Sequence, residues 1–354
     1  MGFSANHQQR IALSHFALTT LENDSLLFRC VDRRSGKPSL HKFINRIFCN
    51  YYDRADASIE MRLAEKRDAY QDLKPKKWPK EADNFINCIL EKEKEELTRK
   101  MENLLSASCI TTSNVISLNN ETLKILEKSS DDKHYKNAPS RYIRAILEEY
   151  ALLDGLMREK LYFRENIEKL ENFALNRAVV EITLAGNSRC HRVIPVLIKS
   201  DIYKTHLYLA GISNGTGTEE KPVSYRIDHI DSIQCIRPES RLSLTASSLE
   251  KAIDQWGIQY LSSAKSCIRI LLSQEGIRKY QRYTYQRPSY SSREGDAKDI
   301  YVFNITEYQA LVYFFKFGAD AVVLEPESLR QKFCRLYKSA LLKYASSDSE
   351  SPYT

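Results

Sequence analysis

Near the N-terminus, Ile11 and Leu13 alternate with Arg10, Ala12 and Ser14, which predicts a strand with one buried face. The stretch from Thr19 to Gly36 then reads as a helix stopped by the glycine. "PSLHKFINRIFCNYY" reads as a second helix, capped near Ser39, whose apolar face is Phe43, Ile44, Ile47, Phe48 and Tyr51. About 100 residues later the same order returns. "NVISLNN" predicts a strand with Ile116 and Leu118 inward, and "ETLKILEKSSDD" predicts a helix. "APSRYIRAILEEYALL" predicts a further helix capped by Ser140, with Tyr142, Ile143, Ile146, Leu147 and Tyr150 on its apolar face. Between the copies lies a charged, helix-rich segment broken by Pro75 and Pro79, read as helices with solvated faces.

From about residue 175 the period changes to two. "RAVVEITLAG", "CHRVIPVLIKS", "THLYLAGIS" and "VSYRIDHIDSIQCI" are short strands joined by "GNS", "SDIYK" and the loop "SNGTGTEEKP". Tightly joined strands of this kind predict a small antiparallel barrel. A helix follows around "SLEKAIDQW". Next come strand "CIRILL", helix "SQEGIRKYQ", strands "RYTYQRP" and "DIYVFNI", helix "TEYQALVYFFKFG", strand "AVVLEP" and a long last helix. That β-α-β-β-α-β order fits a ferredoxin-like layer. The fold class is therefore α+β. The expected domains are an N-terminal helical unit over 1–165 with copies at about 10–52 and 114–152, the barrel over 166–242, and the C-terminal layer over 243–354.

Composition narrows the functional classes. The chain has 354 residues, 42% hydrophobic and 28% charged, a globular balance. A formal net charge of +7 permits an anionic partner without demanding one. None of the eight cysteines forms a C-x-x-C pair, which argues against a zinc knuckle or a disulfide framework and for reduced thiols in the cytoplasm. No run approaches the roughly 18 apolar residues of a membrane span, and "MGFSANHQQR" has no apolar signal core. No H-E-x-x-H, G-x-S-x-G, P-loop or G-x-G-x-x-G motif occurs. No enzyme, cofactor or metal is expected.

Two families are resembled. Strand, helix, capped helix, twice over, resembles a ribbon-helix-helix unit, normally half of a dimer, and "PSRYIRAILEEY" is similar to its second helix. The chain from about 175 to 345 resembles a WYL-domain protein. The tripeptide sits at Leu207, Tyr208 and Leu209, with Leu207 where Trp is usual. "RVIPVLI" matches the preceding strand through Arg192 and Pro195. "SYRIDHI" places Arg226, Ile227 and Asp228, with His229 where Arg is commoner. Gly318, Leu324, Pro326, Leu329 and Arg330 fit the C-terminal extension. The combination resembles the WYL accessory proteins of type VI-D CRISPR systems. It implies an Sm-like barrel with a basic ligand pocket, homodimerisation through the C-terminal extension, and modulation of an RNA-guided, RNA-cleaving effector nuclease, with stimulation the expected direction.

Three sets of side chains carry candidate chemistry. Arg189, Arg192, His206, Tyr208, Arg226 and His229 would line the strand face opposite Leu207 and Leu209, where arginine forks hold phosphate and rings stack on unpaired bases. Surface ion pairs and a half-buried tyrosine explain the same residues equally plainly. Arg278, Lys279 and Arg282, interleaved with Tyr280, Tyr283, Tyr285 and Tyr290, read either as a single-strand surface or as a dimer interface. The outward ribbon set is Arg10, Ala12 and Ser14 with Val115, Ser117 and Asn119. Arg10, Ser14 and Ser117 are its candidate DNA contacts, a poor set for base readout. The expected partner is single-stranded RNA. The alternatives are a DNA-binding regulator with a ligand-sensing WYL domain and a module that docks an acidic protein face.

Overall fold

The computed structural model describes residues 8–32, 36–72, 81–107, 111–129, 135, 138–213, 221–237, 246–261 and 265–347. Pro75, Pro79, Cys109, His134 and most of the "SNGTGTEEKP" loop lie outside them.

Strand β1 (Gln8–Ser14) pairs antiparallel with β2 (Thr111–Ser117), so the two sequence copies meet within one chain. Each strand leads into two helices: α1 (His15–Leu27) and α2 (Leu40–Tyr51) after β1, α5 (Asn120–Ser129) and α6 (Pro139–Leu152) after β2. Ile11, Leu13, Ile116 and Leu118 are buried, as are the five apolar positions expected on each second helix. Four boundaries differ from the sequence expectation. Ser14 ends the strand because its hydroxyl accepts the Ala17 amide and caps α1. That helix ends at Leu27 rather than Gly36, since Arg29 adopts a left-handed φ of 53°. Pro139, not Ser140, opens α6. Asn119 lies beyond the strand and caps α5 through the Thr122 amide at 2.8 Å. Asn45 ties the copies together, donating to the Ser117 carbonyl and accepting from Asn119 N and Thr122 Oγ1, each at 2.8 Å.

The charged insert forms α3 (Ile59–Asp72) and α4 (Glu81–Ala107), packed on each other through Ile59, Leu63, Ile86 and Leu90. Ion pairs Lys66–Glu93 and Lys94–Glu60 line their exposed sides. Helices α7 (Gly155–Tyr162) and α8 (Arg164–Leu175) lead to β3 (Val179–Leu184), β4 (Asn187–Ser200), β5 (Leu207–Ser213), β6 (Lys221–Arg226) and β7 (Ile230–Arg237). One apolar core continues from the ribbon and its helices through Leu161, Phe163 and Leu170 into Val180, Val193, Leu209 and Ile227.

The five strands run in the order β6-β5-β4-β3-β7, and the sheet is not closed into the expected barrel. A 3-10 turn at Ile227–His229 breaks the chain between β6 and β7, and β7 then pairs with β3 at the far edge. A turn of 3-10 helix at Ile258–Tyr260 packs beside β5 and β6. Helix α9 (Ala246–Trp256) covers the second face through Leu249 and Ile253 against Ala210. Strand β5 is thus buried on both sides.

The C-terminal layer contains β8 (Lys265–Leu272), α10 (Gln274–Arg282), β9 (Ser292–Glu294), β10 (Ile300–Thr306), α11 (Glu307–Phe314), β11 (Ala321–Glu325) and α12 (Glu327–Ser347). Its sheet runs β11-β8-β10-β9 over a separate core centred on Phe303, Tyr313, Phe314 and Phe317. The strand expected at "RYTYQRP" is absent. That segment wraps Tyr280 instead: the phenol donates to the Pro288 carbonyl at 2.7 Å, the Arg287 guanidinium lies 5.6 Å from the ring, and Gln286 has a φ of 57°.

Candidate nucleic-acid interface

The turn between β4 and β5 is fixed by Asp201. Its carboxylate accepts from the Thr205 amide and hydroxyl, and its backbone N–H bonds the His206 carbonyl at 3.1 Å. His206 and Tyr208 are thereby delivered beside Arg226, which pairs with Tyr208 across the ladder. Arg226 grips Asp228 with two bonds, Nε to Oδ1 at 2.9 Å and Nη2 to Oδ2 at 2.6 Å. Nη2 also lies 3.2 Å from His206 Nδ1. The Arg226 side chain is 28% exposed while Asp228 is buried. Two of the guanidinium nitrogens are engaged, and Nη1 has no hydrogen bond among the described residues. His229 is 41% exposed, with Nε2 3.9 Å from Asp228 Oδ2.

Glu159 reaches this cluster from α7. Oε1 accepts the Leu207 amide at 3.2 Å, and Oε2 lies 3.5 Å from His206 Nδ1. Burial pushes its carboxyl up to about 7, Asp228 and Asp201 push the same way, and the Leu207 amide and Arg226 pull against them. Burial and the Arg226 charge hold the His206 pKa down. A neutral imidazole accepts from Arg226 at Nδ1, which puts its proton on Nε2. Burial also works against the Arg226 charge, but its bonds to Asp228 raise the pKa above the ordinary value, so the cation persists. Burial pushes the Tyr208 phenol up to about 12. Tyr208 packs against the group of Leu249, Ile253 and Ile258, half-buried rather than on an open groove, and its hydroxyl has no hydrogen bond among the described residues.

The structure brings together His206, Tyr208, Arg226 and His229, and it separates them from the other strand candidates. Lys199, not Arg192, faces Tyr208 on β4. Arg192 lies seven residues back, roughly 20 Å along the strand, where it meets Glu181 at 3.4 Å. Arg189 acts on Tyr225, whose ring sits 5.5 Å from His191. On α10, Arg278 pairs with Glu275 at 2.9 Å and Lys279 with Asp320 at 2.7 Å, so Lys279 braces the turn before β11. Arg282 is exposed.

On the ribbon, the Ser14 hydroxyl donates to Glu148 at 2.6 Å and is committed to the fold. Ser117 is exposed, and its backbone carbonyl is taken by Asn45. Arg10 and Ala12 line an open pocket of about 450 Å³ with Glu102 and Ser106 of α4 and Arg141 and Arg144 of α6. The insert therefore walls one side of the outward ribbon face.

Glu159 was not legible as a site residue, because nothing in "GLMREKLY" distinguishes it from the acidic residues around it. Among the described residues no group of three or more His, Cys, Asp or Glu is placed to hold a metal ion, and no helix is long and apolar enough to cross a membrane.

No protein-family model and no curated protein matches the chain in sequence. Among solved structures, "Crystal structure of a CRISPR Cas-related protein" superposes with a TM-score of 0.72 at 22% identity, covering 96% of this chain and 94% of that one. The proteasome accessory factor B/C (PafBC) of Arthrobacter aurescens overlays with a TM-score of 0.31 at 12% identity, covering 66% of this chain and 37% of its own length, too distant to bear on the fold. This chain thus shares its fold, over nearly its whole length, with a CRISPR Cas-related protein.

Proposed function

We propose that this chain is a CRISPR-associated accessory protein that binds single-stranded RNA and modulates an RNA-guided, RNA-cleaving type VI effector. The observation that carries the RNA-binding part is the partly exposed Arg226, which Asp228 grips and whose Nη1 has no hydrogen bond among the described residues, beside the Tyr208 hydroxyl, which has none among them either, and the partly exposed His229. A fixed guanidinium suits phosphate, and a phenol beside it suits a base edge or ribose hydroxyl. The whole-length fold match to a CRISPR Cas-related protein supports the setting, and the net charge of +7 supports an anionic partner. Homodimerisation belongs to the same reading, supported by the exposed Leu341, Leu342 and Tyr344 on α12.

The test is fluorescence anisotropy of the purified protein with labelled single-stranded RNA and with duplex DNA of equal length, each across a salt series. Counterion release makes any phosphate contact salt-dependent, so affinity surviving high salt marks the non-ionic part. Expected is RNA binding that outlasts duplex binding as salt rises, weakened by Tyr208→Ala. Preference for the duplex would instead favour a DNA-binding regulator acting through the ribbon. That second reading is supported by the β1–β2 pairing and by the arginines around Arg10.

A further inference from the structure

The seam between the five-stranded sheet and the C-terminal layer is lined with tyrosines from five separate segments. Tyr203 comes from the turn that Asp201 fixes, Tyr208 from β5 and Tyr260 from the turn beside it. Tyr285 comes from the segment after α10, and Tyr308 from the first turn of α11. The rings of Tyr203 and Tyr285 lie 4.4 Å apart at 44°. Gln286, next to Tyr285, is held at a φ of 57°. Tyr260 is buried, and burial pushes its phenol up to about 12; the Gln259 hydrogen bond pulls against it, and the Tyr203, Tyr308 and Tyr208 phenols push the same way as burial. Tyr285 and Tyr308 are 55% and 66% exposed, far more than a tyrosine that only seals a seam.

Cations border the same strip. Lys204 follows Tyr203 in its turn and is exposed. Lys316 lies over the rings of Tyr283 and Tyr313 at 4.9 and 4.7 Å. Arg226 stands at the other end, beside Tyr208. Exposed rings with interleaved cations match a strand whose base faces are uncovered. A duplex hides those faces inside its stack, and an acidic peptide has no flat partner for them.

We propose that this seam continues the RNA site. A single strand anchored by a phosphate at Arg226 crosses from the sheet to the C-terminal layer and stacks unpaired bases on Tyr285 and Tyr308. The inference rests on the RNA-binding reading above and gives the strand its path. It also gives the C-terminal layer a part in binding that the strand-face candidates alone did not include.

The experiment uses the full chain and a labelled single-stranded RNA in anisotropy titrations, with Tyr285→Ala, Tyr285→Trp and Phe85→Ala beside the wild type. Phe85 is likewise an exposed ring, at 65%, but it lies on α4 in the N-terminal insert. Tyr285→Ala is expected to weaken RNA binding about five-fold or more, with an unchanged melting temperature and salt slope. Tyr285→Trp should retain or improve binding, and Phe85→Ala should leave it alone. RNA carrying 5-iodouridine, irradiated and mapped by mass spectrometry, should cross-link at Tyr285 or Tyr308. Wild-type binding that Tyr285→Ala leaves intact, or that Phe85→Ala weakens equally, overturns the path and leaves the Arg226 site standing. A wild type that binds no single-stranded RNA overturns both.

Discussion

The carboxyl of Glu159 joins two parts of the chain, because α7 carries it to the Leu207 amide at the start of β5. Folding raises it from an ordinary 4.5 to about 7. The neutral form is the one the fold favours. Its stabilisation is complete below 4.5 and is lost as the pH rises through about 7. Glu159→Gln should therefore gain stability relative to the wild type, by on the order of 3 kcal/mol, between pH 4.5 and pH 8. Melting curves of both proteins across that range check it, and a pH-independent difference refutes it. Arg226 poses a different problem, since its removal leaves the buried Asp228 carboxylate unpaired. Arg226→Ala should cost about 2 to 3 kcal/mol, and the double change with Asp228→Asn less than that. Denaturant titrations of the two proteins give the comparison. It also means that RNA affinity of Arg226→Ala is interpretable only beside its melting curve.

At the scale of elements, close backbone approaches decide what a helix tolerates. Helix α10 starts against the turn before β11, where the Ser273 amide bonds the Asp320 carbonyl at 3.1 Å. A Cβ at Gly276 would stand 2.1 Å from that same carbonyl oxygen. Gly276→Ala should destabilise by about 1 to 3 kcal/mol. Gly155→Ala, where no atom lies within 4 Å, should stay within about 0.5 kcal/mol. Urea midpoints of the two variants test the contrast. Elements with a sustained period were legible in sequence. The apolar faces of α2 and α6 were read position by position because a 3.6-residue stripe has one way to face a core. The segment from Tyr283 to Pro288 was misread because its alternating tyrosines imitate a strand, whereas contacts with Tyr280 determine its course.

For the whole molecule, the division of cores sets how stability is shared. One core spans the ribbon, its helices and one face of the five-stranded sheet, and a second belongs to the C-terminal layer. Phe303→Ala in the second core should cost about 3 to 5 kcal/mol. Amide hydrogen exchange should quicken in β8, β10 and β11 while β3 and β4 keep their protection. Uniform quickening would mean a single cooperative unit.

The sequence by itself determined most of the elements, the two N-terminal copies and their inward faces, and it named His206, Tyr208, Arg226 and His229, with Arg189 and Arg192, as one strand face. Alternation and helical periods are local properties, and β5 and β6 lie close enough in the chain for a short connection to set them side by side. Only the tertiary structure decided that β1 and β2 pair within one chain. It decided that the sheet stays open because the turn at Ile227–His229 sends β7 to the far edge. It moved Arg192 away from Tyr208 through strand register, brought in Glu159 from a helix about 50 residues earlier, and set the ring of Tyr285 4.4 Å from that of Tyr203. Register, edge choice and the meeting of distant segments depend on which apolar surfaces bury one another, and no local window of sequence contains that competition.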